Sequence, residues 1–326
     1  MQSSARAHAN IALVKYWGKS DPVLNVPAVG SISVTLEKLW SDTDVEFSPA
    51  LRHDSLVLDG KQDAAQLARV SGCLDLLRER AGTQDRAAVV SRNNFPTGAG
   101  LASSASGFAA LVCAAARALG LELSPTELSI LARRGSGSAA RSIFGGYVEM
   151  RAGAAADGSD SYAEAVLPAA DWPLTVVIAV TTREPKATGS TRGMQVTATT
   201  SPYYPAWIES STVDLDAARQ AICGRDFPRL AEVAEHSCLK LHALAMSSRP
   251  GLIYWNPATV ACIDAVRKLQ RDGMPVFFTI DAGPQLKALC LPDAADDVVD
   301  ALRALPGVLD LIVTGLGPGV ELVQAT

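Results

Sequence analysis

The chain has 326 residues, 48% of them hydrophobic and 19% charged, with a formal net charge of −5. That length favours about two domains, and the composition excludes a disordered chain. The acidic balance argues against nucleic acid as a partner, because binding along a phosphate backbone needs a basic surface, yet a few local cations could still hold a small anion.

The start, "MQSSARAHANIALVKYWGK", carries a lysine inside its apolar stretch and lacks the apolar core of a secretory leader. No later segment reaches the ~18 uninterrupted apolar residues of a membrane span, so a cytoplasmic location without a membrane partner is expected. "ANIALVKYW" and "SISVTLEKL" read as strands joined by a Pro/Gly-containing loop, and "TDVEFS" and "DSLVLDG" as a further hairpin-like pair. From Asp63 to Arg80, Leu67, Val70, Leu74 and Leu77 recur at helical spacing, with Gly82 as the stop. "RAAVVSRNN" returns to strand, and a small-residue helix runs from Ser103 to Leu119, ended by Gly120. "SPTELSILARR" carries a capping box, Ser124 with Glu127, and a proline at the first helical position. "IFGGYVEMR", "SYAEAVL" and "LTVVIAV" read as strands, with "RAGAAADGSDS" as a hairpin loop. The second half is mostly helical through "FPRLAEVAEHSCLKLHALAM" and "NPATVACIDAVRKLQRDG". It ends on a strand at "MPVFFTI", a helix at "AADDVVDALRAL" and the strand "VLDLIVT". No regular βαβ repeat emerges, so the class is α+β, with a domain boundary near Thr182 to Lys186.

Cysteines 73, 113, 223, 238, 262 and 290 form no CxxC pair and read as reduced thiols. His236 and His242 are six apart, a spacing that does not put two metal ligands on one helix face. "NNFPTGAGLASSASGFAALV" is the strongest local signal for chemistry. Small residues around Pro96, Gly98 and Gly100 let backbone amides approach an anion, the helix N-terminus adds unpaired donors, and Ser103, Ser104 and Ser106 add hydroxyls. It is neither a Walker A loop nor a dinucleotide fingerprint, and a Gly/Ser turn before a tightly packed helix would look the same. "RRGSGSAARSIFGGYVEM" offers Ser136, Ser138 and Arg141, a fork suited to carboxylate or phosphate or to a surface ion pair. In a strand, Lys15 would share a side with Leu13 and Trp17, which calls for a partner or for snorkelling from an edge. "KATGSTRGM" alone reads as a loop. In "MPVFFTIDAGPQLKAL" an apolar strand ends in a carboxylate, Asp281, which fits either a turn cap or a group held for chemistry.

Taken together and in order, "NIALVKYWGK" with "SISVTL", "NNFPTGAGLASSASGFAAL", "GSGSAARSIFGGYVEM", "GSTRGM" with "TSPYYPAW", and "FTIDAGPQLKAL" resemble the diphosphomevalonate decarboxylases of the GHMP kinase superfamily, over residues 10 to 289. The resemblance implies a GHMP-kinase-like fold: an N-terminal α+β ATP-binding domain, residues 1–184, and a C-terminal ferredoxin-like domain, residues 185–326. It implies ATP-dependent phosphorylation of the C3 hydroxyl of mevalonate 5-diphosphate, then loss of phosphate and CO2 to give isopentenyl diphosphate, a step of isoprenoid biosynthesis. By the same resemblance Asp281 accepts or orients the hydroxyl proton, and Lys15 is a second catalytic residue. Tyr16, Lys19 and Ser190 hold the substrate diphosphate; Arg141, with Ser136 and Ser138, grips the carboxylate; Asn10 is a supporting polar residue. Pro96, Gly98, Ala99, Gly100, Leu101, Ala102, Ser103, Ser104 and Ser106 hold the ATP phosphates, and Mg²⁺ binds mainly through those phosphates, with Ser104 as a candidate ligand. A homodimer is implied as well. Where the family has "LPxNSS" this chain has "NVPAVGSIS", with Val29 and Gly30 in the polar places, and Gly189 replaces a frequent serine. The alternatives are a decarboxylase of mevalonate 5-phosphate, a C3 kinase of the same superfamily, and a non-catalytic nucleotide- or metabolite-binding paralogue.

Overall fold

The computed structural model of the chain describes residues 1–95, 103–184 and 186–324. Strand β1 (Gln2–Val14) leads, through a small ribbon of β2 (Lys19–Asp21) and β3 (Val26–Pro27), into β4 (Ser31–Ser48). β4 is continuous where the sequence suggested two strands. Leu39, Ser41, Thr43, Val45 and Phe47 are buried while their neighbours are not, whereas residues 31–36 are buried throughout, and the strand spans the exposed pair Glu37–Lys38 with a shift of its register against β1 between His8 and Asn10.

β5 (Ser55–Leu58) and β6 (Lys61–Gln62) precede α1 (Ala64–Ala81) and β7 (Arg86–Asn93). The hairpin expected between "TDVEFS" and "DSLVLDG" does not form. β5 lies parallel to β7, which separates it from β4, because α1 must lay its Val70, Leu74 and Leu77 stripe on the sheet and makes the link a crossover. Asp63 caps α1 by accepting the Gln66 N–H at 3.0 Å, and Gly82 ends it in the left-handed region at φ 67°.

α2 (Ser103–Ala118) and α3 (Pro125–Gly135) follow, the latter with both halves of its capping box in place. A 3₁₀ turn, Gly137–Ile143, occupies the ground before β8 (Tyr147–Met150), which forms the expected hairpin with β9 (Ala163–Leu167). Next come β10 (Thr175–Val180), α4 (Ser190–Thr200), α5 (Tyr204–Gly224), α6 (Phe227–Met246) and α7 (Pro257–Arg271). β11 (Val276–Ile280), β12 (Leu286–Cys290), α8 (Ala295–Arg303), β13 (Asp310–Thr314) and β14 (Glu321–Val323) complete the chain.

The first sheet runs β14-β1-β4-β7-β5-β6, with β8 and β9 continuing from the other half of β4. The second runs β11-β12-β10-β13, all antiparallel, and its β-α-β-β-α-β path is the ferredoxin-like arrangement. The α+β expectation therefore holds. The sheets exchange strands across residue 184: β10 belongs to the second sheet and β14 pairs with β1 in the first.

Three of the five hydrophobic clusters among the described residues join the sheets to their helices. Val45, Phe47 and Val89 pack under Leu74, Leu77, Phe108 and Leu111, where the buried alanines of α2 let the helix approach closely. Ile11, Leu13 and Val34 of the first sheet meet Val176, Ile178, Phe277 and Leu289 of the second, with Ile222 of α5 and Leu230 of α6 filling the gap. On the opposite face of β10, Val177 and Ala179 pack with Val266 of α7 and Val298 of α8. Each fully buried Val, Leu, Ile or Phe among them stabilises by roughly 1.5–3 kcal/mol, an alanine by less. The second core matters most for function, since it sets the end of β1 against the end of β11. Among the described residues no helix is long and apolar enough to cross a membrane, no three His, Cys, Asp or Glu side chains cluster as metal ligands, and the six cysteines are free.

Candidate active site

β1 ends at Val14, so Lys15 leaves the sheet instead of sharing a strand face with Leu13 and Trp17. The segment after it is fastened on both sides. Trp17 donates its Nε1–H to Thr197 Oγ1 of α4 at 2.8 Å, and the Trp17 carbonyl accepts from Trp207 Nε1 of α5 at 3.0 Å. Gly18 has φ +95°, and a Cβ there would meet the Tyr204 hydroxyl at 2.3 Å, so this turn requires glycine.

Lys15 is 1% exposed. Its ammonium donates to the Ala12 carbonyl at 2.9 Å and to Asp281 Oδ1 at 2.7 Å. Asp281 follows the last residue of β11, and a quarter of its side chain, 26%, still faces open space. Its other oxygen, Oδ2, lies 3.2 Å from Lys287 Nζ of β12. Burial pushes the Asp281 carboxyl up, but Lys15 and Lys287 outweigh it and hold the group well below the usual carboxylate range.

Helix α6 backs this pair. Ser237 Oγ accepts the Lys15 backbone N–H at 3.0 Å, and Cys238 Sγ accepts the Ile280 N–H at 3.2 Å. His242 Nε2 lies 3.2 Å from the Ile280 carbonyl; burial, then Lys15, lower its pKa to about 3. The ring is thus neutral, and since the carbonyl can only accept, its proton sits on Nε2.

Arg141, from the 3₁₀ turn, is 2% exposed and pairs with no carboxylate among the described residues. Neutral groups hold it: Ser31 Oγ at 2.7 Å, Ser33 Oγ at 3.0 Å and Asn10 Oδ1 at 3.1 Å. Asn10 is itself oriented by donating to the Ser138 carbonyl at 3.0 Å and to Ser142 Oγ at 2.8 Å. Burial lowers the Arg141 pKa to about 10, with Tyr16 and Asp281 opposing, so the guanidinium stays charged at neutral pH. Tyr16 stacks beneath it, with the Arg141 Cζ 6.0 Å from the ring centroid, and the buried Tyr16 hydroxyl has no hydrogen-bond partner among the described residues. Burial raises that phenol to about 12 despite Arg141 and Arg133, so it remains a donor.

These groups line one cavity of about 400 Å³. Lys15, Asp281, Asn10, Tyr16, Lys19, Ser136, Ser138, Arg141, Ser190, Ser103 and Ser104 all reach it. The hydroxyls of Ser104 and Ser136 lie 3.4 Å apart, and those of Ser136 and Ser138 3.3 Å apart, a row leading from the first turn of α2 toward Arg141. Ser106 does not belong: it is fully buried, turned toward β4, and its Oγ lies 2.7 Å from Ser41 Oγ. Pro96, Gly98, Ala99, Gly100, Leu101 and Ala102 lie outside the described residues.

Sequence reasoning missed Arg69, Lys186, Arg192 and Lys287. Arg69 of α1, Lys186 and Arg192 line the cavity. Lys186 donates to Ser190 Oγ at 2.9 Å and to the Ala282 carbonyl at 3.1 Å, and burial lowers its pKa. Among the described lining residues, six cations (Lys15, Lys19, Arg69, Arg141, Lys186 and Arg192) face one carboxylate, Asp281. Such a cavity suits a ligand with anionic groups at both ends. The departures at Val29 and Gly30 do not line it. Val29 packs with Trp17, and a Cβ on Gly30 would meet Leu215 Cδ2 of α5 at 2.6 Å, so packing accounts for both. Gly189 does line it, in open space at the cap of α4.

Comparison with known proteins agrees with this geometry. Residues 7–163 match the family model of the diphosphomevalonate decarboxylase-like N-terminal domain, and residues 176–310 that of the mevalonate 5-diphosphate decarboxylase C-terminal domain. The chain is 38% identical to a diphosphomevalonate decarboxylase of Candida albicans, over 98% of this chain and 97% of that protein. It is 38% identical to the human diphosphomevalonate decarboxylase, over 91% of this chain and 78% of that protein. Among solved structures, MDDEF in complex with MVAPP, AMPPCP and magnesium superposes with a TM-score of 0.92 at 38% identity, covering 100% of this chain and 99% of that one. The mevalonate diphosphate decarboxylase from Staphylococcus aureus gives 0.92 at 38% identity, covering 99% and 98%.

Proposed function

The chain belongs to the diphosphomevalonate decarboxylase family, and from that premise we infer that it converts mevalonate 5-diphosphate and ATP to isopentenyl diphosphate, ADP, phosphate and CO2. One observation carries the assignment: a single cavity joins an ion-paired carboxylate to a buried guanidinium that has no carboxylate partner among the described residues, and to a row of further cations.

Arg141, held among the described residues by neutral groups, takes the substrate carboxylate as its charged partner. Lys19, Ser190 and the Tyr16 hydroxyl receive the diphosphate, with Arg192 and Arg69 adding charge. The substrate is thereby stretched so that C3 lies by Asp281. A carboxylate this strongly stabilised is a weak base. Asp281 therefore acts chiefly by accepting a hydrogen bond from the tertiary hydroxyl and aiming its lone pair at the γ-phosphorus, taking the proton as charge develops. Lys15 balances that charge. After transfer, the C3–O bond breaks and phosphate leaves. The electrons of the C–CO2⁻ bond then form the new double bond as CO2 departs.

The first turn of α2 presents Ser103 and Ser104 to the cavity, and a serine hydroxyl beside phosphate oxygens fits the hard-donor preference of Mg²⁺. Bound with ATP, the ion would neutralise phosphate charge; Ser104 is its candidate protein ligand. A narrower apolar cleft also opens on Ser103 and Ser104, between Leu56, Val89 and Phe108, and is our choice for the nucleotide base.

We propose further that the chain folds as units 1–184 and 185–326 that exchange β10 and β14, works as a homodimer, and resides in the cytoplasm. The two sheets and the six free cysteines support the first and last of these. Sedimentation equilibrium tests the dimer.

The deciding assay incubates the protein with ATP and either mevalonate 5-diphosphate or mevalonate 5-phosphate, following ADP and CO2 together. ADP and CO2 in equal amounts, with the higher kcat/KM for the diphosphate, are expected. ADP without CO2 would make it a C3 kinase, and a preference for the monophosphate would reassign the substrate.

A further inference from the structure

The Asp281 carboxylate is held from two directions. Lys15 takes Oδ1 from the end of β1, while Lys287 takes Oδ2 from β12. Lys287 pairs in register with Thr279 of β11 and Ile178 of β10, in the middle of the second sheet. Its neighbours Leu286 and Ala288 are fully buried, and it is itself 1% exposed. It does not line the cavity, so it meets the carboxylate from behind. Packing alone does not call for a lysine here: an apolar chain of similar volume would fill the site without the cost of desolvating an ammonium.

Geometry suggests what the ammonium adds. The terminal torsion of an aspartate is broad, so one ion pair fixes one oxygen and leaves the carboxylate plane free to turn. Two cations on different oxygens fix the plane. Resting on the decarboxylase reading of the cavity, we propose that Lys287 is a positioning residue: it locks Asp281 Oδ2 from the sheet side, so that the remaining face of the carboxylate is presented to the C3 hydroxyl of the substrate.

The electrostatics support the same role. Burial raises the Asp281 pKa, and Lys15 and Lys287 together overcome it. Arg141 and Lys186 add positive charge from the 3₁₀ turn and the segment before α4, while α6 contributes the neutral His242 and the thiol of Cys238. Removing one of the two contacting ammoniums leaves burial less opposed.

Lys287→Met keeps the stem and removes the charge. In this variant kcat falls on the order of 10²-fold, and KM for each substrate stays within about threefold. The acid limb of kcat moves up by about one pH unit or more. Rates are expressed per folded molecule, counted by binding of the diphosphate substrate, because a purely structural lysine would lower the folded fraction and leave this kcat alone. Asp281→Asn supplies the background for a cycle: added to it, Lys287→Met costs no more than about threefold further. That double variant lacks both charges of the pair and stays assayable even where Lys287→Met folds poorly. A single-variant kcat within about threefold of wild type with an unmoved acid limb overturns the proposal, as does a fully additive loss in the double variant. Wild-type protein that releases no CO2 from mevalonate 5-diphosphate overturns the decarboxylase reading instead, whatever Lys287 does.

Discussion

Arg141 shows most clearly what single side chains do here. Its fork is enclosed by hydroxyls and an amide that satisfy N–H groups without neutralising the charge. Arg141→Gln should therefore raise KM for mevalonate 5-diphosphate by ~10-fold or more and also lower kcat, because a charge-assisted contact is lost and the substrate is no longer drawn taut. Steady-state kinetics with each substrate varied in turn reads this out; near-wild-type constants would remove Arg141 from the site. Asp281→Asn probes the other end. Its size is kept, but the charge that Lys15 and Lys287 contact at this position is gone, and the amide is a poor acceptor for the C3 hydroxyl proton. Turnover should fall by ~10²–10⁴-fold, with ATP-analogue binding retained in calorimetry. An unchanged catalytic rate in that variant would refute the role given to Asp281.

Among the elements, α6 is the one that holds the Lys15–Asp281 ion pair in place. Ser237 takes the Lys15 N–H, and Cys238 and His242 take the two backbone groups of Ile280, the residue before Asp281. Ser237→Ala orphans a buried N–H and should cost roughly 1–3 kcal/mol in denaturant unfolding. It should also lower kcat with little change in KM, since Lys15 loses its anchor. Wild-type stability would show that this bond contributes nothing. The segments of the candidate site were legible because the groups that line its cavity sit at strand ends and in small-residue turns, which stand out in a sequence: Lys15 after β1, Asp281 after β11, the serines before and within the 3₁₀ turn. What escaped notice has tertiary causes. "LKALC" is β12 although Leu, Lys and Ala favour helix, because it is paired on both sides by β10 and β11. Lys287 was hidden with it. α4 reads as a loop from its Gly and Thr content, yet forms where Thr197 bonds back to the Gly193 carbonyl at 2.9 Å and receives the Trp17 indole. Arg69 lies beside the apolar stripe of α1, and helical periodicity does not say which polar side chain reaches a cavity.

At the scale of the whole molecule, charge is unevenly spread. The chain carries −5 overall, yet its central cavity collects six cations around one carboxylate among the described lining residues. Those cations come from both sheets and their helices: Lys15 follows β1, Arg69 lies on α1, Arg141 is in the 3₁₀ turn and Arg192 on α4. Without an anion they repel one another across the meeting of the two halves, so part of the binding energy of an anionic ligand should appear as resistance to unfolding. Inorganic pyrophosphate, which matches the diphosphate end alone, should raise Tm, and at 100 times its Kd the gain is about 2.7 kcal/mol. Because the attraction is largely electrostatic, raising NaCl from about 0.05 M to about 0.5 M should weaken pyrophosphate binding and raise KM for the diphosphate substrate several-fold. Arg141 and the Lys15–Asp281 pair are enclosed and screened least, so kcat should change far less than KM over the same range. A salt series of thermal melts and initial rates separates the two effects. A Tm indifferent to pyrophosphate at low salt would mean that the cations are neutralised within the protein and do not form a diphosphate site.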